Sequence, residues 1–347
     1  MRSLIATYGR GLTALFAALA LLWLLGLIVL PQLFMLERSL WWQEQPPEAF
    51  ALTKRIDDLY NEVSLLELDR RGAAGEELAE LEARIAQKQA EIAALEAAEV
   101  APVRVYGLAN YVKMSGLHFW IFVKTILYAM LVTLLALVVC YPIAFAAAQL
   151  VSPGNAALLL LGLVVPYAIN ELLRVYAWLM ILDYQGVINS FLAWLGLVDF
   201  AQRTWIPFLE YPGAVFVAMV YAYVLFMVFP MYNTMETLDR NQLEAARDLG
   251  ASTWRIHWRV VIPHARPGIA VGCIMTFMLS AGSFAVPQII SRGTAGDWFS
   301  QLIYRQFFES FNWNVGAAYA FTLLLACIIF IFLVMRLFGV GIRDIAR

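Results

Sequence analysis

The chain has 347 residues, 62% hydrophobic and 14% charged, with 24 Lys+Arg against 26 Asp+Glu, where soluble domains run at roughly 45–50% and 25%. Such a composition excludes a soluble enzyme built round one large core, and a net charge of −2 excludes nucleic-acid binding, which needs a basic surface to displace counter-ions. Of the 50 charges, 24 crowd into Glu37–Leu117 (9 basic, 15 acidic), which leaves 26 for the other 266 residues and marks the remainder as membrane-embedded.

The first apolar window, Leu12–Leu36, is long enough to cross a bilayer, which takes about 20 mostly apolar residues. Its apolar run is longer than the core of a signal peptide, and Pro31-Gln32-Leu33-Phe34-Met35 offers no small-x-small cleavage site. Residues 1–36 are therefore expected to form an N-tail and a retained transmembrane helix.

Residues 37–117 carry a net charge of −6 and read as an external helical hairpin. Apolar residues fall at Leu52, Ile56, Leu59, Val63 and Leu66, in alternating steps of four and three. They resume at Leu78, Leu81, Ile85, Ile92 and Leu95, with Lys88 interrupting one seam position. The glycine-bearing stretch Arg70–Glu77 suits a turn, so that two amphipathic helices would bury each other's seams. One long solvated helix with a flexible middle is the alternative, because Ala- and Glu-rich sequence is helical by propensity alone.

Residues 118–347 form the expected core. The charge-free window Thr125–Asn170 is two spans long, and Ser152-Pro153-Gly154-Asn155 in its middle signals a turn. Its second half is expected to continue through Glu171 and Arg174 to about Leu182. Single spans follow at Tyr211–Met235, Pro267–Ser291 and Ser310–Met335, which makes six transmembrane helices in an all-α integral membrane protein. Six spans place both termini on one side with the 236–266 loop. That side carries Arg2, Arg10, Arg240, Arg247, Arg255, Arg259, Arg266, Arg336, Arg343 and Arg347, whereas the short loops opposite carry Arg203, Arg292 and Arg305. Positive charge favours the cytoplasmic side, and loops as long as 37–117 escape that rule. Both termini are thus expected in the cytoplasm. Cys140, Cys273 and Cys327 lie inside apolar runs without CxxC spacing, which predicts buried free thiols rather than a disulfide framework or a metal site.

The loop 236–266 is too patterned for a simple connector. Asn241 with Glu244 three residues on is a helix-start signature, and Leu243, Ala246 and Leu249 mark an apolar face that Gly250 ends. Ser252 can cap a second short helix through Trp254, Ile256 and Trp258, with Pro263 ending it. Taken alone, the pair could be interfacial helices held on the inner leaflet by Arg255, Arg259, Trp254 and Trp258.

Glu244-Ala245-Ala246, three residues, Gly250, nine residues, then Val260-Val261-Ile262-Pro263 resembles the EAA loop of the permease subunits of bacterial ATP-binding-cassette importers, with Val260 where Ile is usual and Ile262 where Leu is usual. The resemblance runs from about Phe119 to Arg343. Val165-Pro166, Asn170–Trp178, Gly186-Val187-Ile188-Asn189 and Glu244–Ser252 are similar to the spermidine/putrescine importer permeases, whose first external loop is usually much shorter. The resemblance implies a type I importer fold in the bacterial inner membrane. It also implies docking of the loop, through Glu244, Ala245, Ala246, Arg247, Asp248, Gly250, Ile262 and Pro263, into ATPase subunits that hold the ATP and Mg. The remaining partners would be a second permease, expected to be a different chain, a periplasmic solute-binding protein and membrane lipid, with no cofactor or metal in this chain.

A solute path is sought where charge enters the apolar layer, since ionisable groups at membrane depth are costly and mark pathways. Glu171 lies 15 residues beyond Ala156, about 22 Å along a straight helix. Glu171, Arg174, Tyr176, Trp178 and Asp183 together offer a carboxylate and aromatic faces of the kind that attract a polyvalent amine. Glu171 and Arg174, three apart, could instead simply neutralise each other. Two other functions stay open: import of another small solute, and a membrane scaffold that passes ATPase motion to an external partner. An intramembrane enzyme finds no support, for there is no HExxH, no GxSxG around Ser283, no GxxxxGK[ST], and His118, His257 and His264 are scattered.

Overall fold

The computed structural model describes residues 2–44, 47–70, 76–97, 103–202, 204–291 and 297–341. The tip of the expected hairpin turn, residues 71–75, lies outside them, as do Arg203, Arg292, Arg343 and Arg347 from the charge count. The chain forms two compact units, Met1–Lys113 and Met114–Arg347. Five helices are long and apolar enough to cross a membrane, or six if one bent pair counts as a span.

In the first unit, α1 (Arg2–Leu24) passes through a π turn at Leu25–Val29 into α2 (Leu30–Ser39). Leu15, Phe16, Leu19, Leu22 and Leu33 are all exposed on it, as a helix apolar on every side requires when its solvent is lipid. A two-stranded antiparallel ribbon follows, β1 (Trp41–Glu44) pairing with β2 (Val103–Tyr106) in the register Trp41 to Tyr106. The helical periodicity did not foretell this ribbon. It brackets α3 (Pro47–Arg70) and α4 (Glu76–Ala97). These two pack as an antiparallel hairpin rather than as one solvated helix. Leu59, Val63, Ile85 and Ile92 are buried, and Ile56, Leu66 and Leu95 pack against them. Lys88 at its irregular seam position is used: its ammonium donates to Glu62 on the facing helix. Arg55 meets Glu91 at 3.4 Å, and the Tyr60 hydroxyl donates to Glu96 at 2.9 Å. The seam holds the pair together, since exposed ion pairs contribute about 0–1 kcal/mol and a buried aliphatic side chain about 1.5–3 kcal/mol. At the hairpin's base, after β2, comes α5 (Ala109–Val112), where the Asn110 amide donates to the carbonyls of Ser39 and Trp41, each at 2.9 Å.

The second unit is built on three mutually packed helices. The first, α6 (Gly116–Phe145), runs on through a π turn to Leu150, and α7 (Pro153–Val164) starts after the Ser152-Pro153 turn. Next come α8 (Glu171–Leu182), α9 (Val187–Trp194), α10 (Pro212–Glu236), α11 (Arg240–Asp248), α12 (Thr253–Ile256), α13 (Ile262–Gly282), α14 (Ala285–Ile290), α15 (Phe299–Phe308) and α16 (Trp313–Phe338). α13 lies close against α10, because side chains at Gly268 and Gly272 would strike the Pro230 carbonyl and Met227. One end of the core gathers Cys140, Met231, Met235, Ile269 and Cys273; the other gathers Val132, Val175, Met219, Val286 and Trp298. All three cysteines are free and buried.

Two expectations about helix direction fail. The third span does not continue straight to Leu182. It ends in a 3-10 turn at Val165–Ala168, and the next helix leaves at 96°. Pro166 removes a backbone donor, Ile169 is extended, and the Asn170 side chain accepts from Leu172 N at 2.8 Å as the cap of a new helix. The 22 Å depth count for Glu171 therefore lapses. Conversely, Pro263 does not end a helix: Thr253–Gly282 is one continuous 30-residue span. A π turn at His257–Val261 precedes the proline, and its wider winding accommodates the missing N–H. The expected span Pro267–Ser291 is thereby shifted, its last third becoming the separate α14.

Candidate coupling loop and solute path

Asp239, not Asn241, caps α11; its carboxylate accepts from Asn241 N at 3.0 Å. Leu243 is buried and Ala246 packs beside it, both in the cluster containing Ile256, Val261 and Ala265. Glu244, Ala245, Arg247 and Asp248 are all exposed, Arg247 one turn beyond Leu243 on the same flank and the other three turned away from it. Termination explains the spacing of the motif. Ala251 N donates to Ala246 O at 3.0 Å and Gly250 N to Arg247 O at 2.8 Å, the bond pattern of a Schellman cap. Gly250 has φ +76°, a left-handed conformation costly for any residue with a Cβ. A side chain there would meet open space, so strain rather than crowding requires glycine at this bend. Ala246 and Ala251, which flank the cap, pack on the same core cluster.

Leu249 departs from the expected apolar face: it is 87% exposed, the most exposed large apolar side chain among the described residues. It stands beside Gly250 with the outward charges of α11. Only its place at the helix C-cap, where the backbone turns away from the buried stripe, could have marked it from sequence. Ile262 and Pro263 are half-buried in the continuing helix, and Trp254 and Trp258 are exposed, with ring centroids 5.8 Å apart. His257 ties this turn to α6 through the Tyr141 hydroxyl, 2.7 Å from its Nδ1. Residues 253–258 thus begin a span instead of lying flat as an interfacial helix.

In α8 the structure separates the candidate path residues. Glu171 is exposed in the first turn, where the helix N-terminus favours a carboxylate. Arg174 is half-buried, and its guanidinium carbon lies 4.1 Å from the centroid of the Tyr167 ring. Among the described residues, Arg174 Nε and Nη1 are buried without a partner, and no ion pair joins Arg174 to Glu171. The neutralising pair is not formed. Trp178 shares the Arg174 face and meets Tyr221 edge to face at 5.5 Å. Tyr176 is two residues from Trp178, about 200° round the helix, and is not brought to that face. Asp183 also stays apart: it ends α8, its carboxylate accepting from Tyr184 N at 3.0 Å and its carbonyl from Gly186 N at 2.8 Å. A pocket of about 220 Å³ is lined by Arg174, Trp178 and Tyr221 together with Ile169, Leu173 and Ile181. Tyr167 and Tyr221 were not foreseen. Pro166 followed by Asn170-Glu171, a helix stop and then a cap, was the readable sign that Tyr167 folds back over Arg174.

The model of the family described as binding-protein-dependent transport system inner membrane component matches residues 142–340, all within the second unit. Over 220 residues the chain is 37% identical to the spermidine/putrescine transport system permease protein PotB of Escherichia coli (strain K12), covering 63% of this chain and 78% of that protein. It is 30% identical over 224 residues to the inner membrane ABC transporter permease protein YdcU of the same organism, covering 61% and 69%. Its fold is similar to that of a chain in the crystal structure of a bacterial alginate ABC transporter in complex with an alginate pentasaccharide-bound periplasmic protein, with a TM-score of 0.57 at 19% identity, covering 68% and 85%.

Proposed function

The chain belongs to the family of inner membrane components of binding-protein-dependent transport systems, and from that premise we propose that it is the permease subunit of an ATP-binding-cassette importer for a polyamine of the spermidine/putrescine class. The observation that carries the reading is the outward face of α11, a short helix held to the core by Leu243 and closed by a glycine cap. Its exposed Glu244, Arg247, Asp248 and Leu249 form a mixed charged and apolar ledge fit to seat in a partner protein. That partner is a separate ATPase that holds ATP and Mg. A periplasmic solute-binding protein delivers the cargo, and a second permease, a different chain, completes the pathway. Both termini lie in the cytoplasm, as the arginine asymmetry of the loops favours.

Identity to the PotB protein supports the polyamine class, and so do the exposed carboxylate of Glu171 and, beginning one turn on along α8, the Arg174 face with the aromatic rings of Tyr167, Trp178 and Tyr221. Alternating access then moves the amine past α8. The test is uptake of labelled spermidine and putrescine into proteoliposomes holding both permeases and the ATPase, supplied with the binding protein. Glu171→Gln should cut spermidine uptake at least about tenfold with the complex intact, the size of one lost charge-assisted contact. Undiminished uptake in that variant rejects this path.

A further inference from the structure

Resting on the polyamine reading, we propose that Arg174 is a resident cation that competes with the passing amine for the face of Tyr167 and so keeps the site from trapping its cargo. Tyr167 is pinned from behind. Its hydroxyl donates to Ala222 O on α10 at 2.6 Å, which fixes the ring as an aromatic platform next to the broken helix. The Arg174 guanidinium already lies on that platform, 4.1 Å from the ring centroid. Its Nε and Nη1 are buried and unpartnered among the described residues, and Glu171, one turn away, is exposed and makes no ion pair with it.

A guanidinium with buried nitrogens normally takes a carboxylate, because an unpaired buried charge is expensive. Here the carboxylate one turn away stays in the open. Glu171 is thus left to meet an incoming ammonium, while the aromatic face that would complete its site is occupied by a charge of the same sign. A polyamine can gain the face only by displacing the guanidinium. A transit site has to bind strongly enough to admit its cargo and weakly enough to release it; a built-in competitor lowers the affinity without removing either attractive group.

Removing the competitor should tighten binding and slow release together. In reconstituted complexes, Arg174→Gln should lower the apparent KM for spermidine about fivefold, the size of one cation–π contact, and lower kcat as well, while Arg174→Lys stays near the parent. A merely structural arginine would lower kcat with KM unchanged or raised, and that result overturns the proposal. If Arg174→Gln does not accumulate in the membrane, Tyr167→Leu decides: loss of the shared platform should raise KM, and an unchanged KM overturns it. The polyamine reading itself is tested separately by spermidine uptake in the parent complex. No uptake there removes that reading, whereas normal parent uptake with an unshifted KM in Arg174→Gln removes only the resident cation.

Discussion

The α3–α4 hairpin and the α7–α8 junction are both helical sequence, the first rich in charge and the second nearly free of it, and they are held in different ways. In the hairpin, every expected seam position from Leu52 to Leu95 is at least half-buried, and the fold rests on burial shared among many side chains. At the junction a far more apolar run turns through 96° on a proline, one extended residue and the Asn170 cap. α11 repeats the second pattern, with Asp239 at its start and Gly250 at its end. Periodicity reports what is buried; single backbone devices report where the chain goes next.

That contrast can be broken by exchanging the two kinds of residue. The largest effect belongs to Leu59→Ala, since Leu59 is fully buried in the hairpin seam and Leu→Ala in a core costs about 2–5 kcal/mol. Amide exchange in α3 and α4 should accelerate while helix content and direction persist. Gly250→Val is expected next, at about 1–2 kcal/mol for a side chain forced into the left-handed region. The variant should insert normally yet lose ATPase co-purification, which a pull-down from solubilised membranes measures. Co-purification at the parent level would mean that the bend does not depend on glycine.

Asn170→Ala should cost about 1 kcal/mol, the usual loss of an N-cap, and should loosen the α7–α8 angle. A pair of spin labels on the two helices would report this as a broadened distance distribution. The smallest effect is one of pH. Lys88, by hydrogen bond and charge, holds the Glu62 carboxyl below its usual range. A lowered folded-state value means that the contribution is present above the ordinary carboxylate range and is lost as pH falls through the lowered value. Acidification below the ordinary carboxylate range should therefore speed exchange at the middle of the hairpin, and Lys88→Met should abolish that dependence while leaving the seam in place.

Much of this was legible in the sequence. The span windows at Tyr211–Met235 and Ser310–Met335 fall on α10 and α16, and the heptad steps name the hairpin seam residue by residue. The seat of α11 was legible too, since Leu243 and Ala246 are the side chains it buries. What escaped were directions. Pro263 reads as a stop, but a π turn N-terminal to it lets the helix continue. Asn170 closes a charge-free window and so reads as part of a span, although its type and the Glu171 after it are those of a cap. Tyr176 and Trp178 look like neighbours in a list and face opposite sides of a helix. The Tyr167 platform depends on that same turn, so no reading that kept the helix straight could have found it.

The ribbon at the base of the hairpin has a mechanical consequence. Because β1 follows α2 with a single residue between, and Asn110 clamps both Ser39 and Trp41, the ribbon is fastened to the end of the first span as a hinge leaf is fastened to its post. A tilt of that span must therefore carry β1 and its partner β2 with it as one piece.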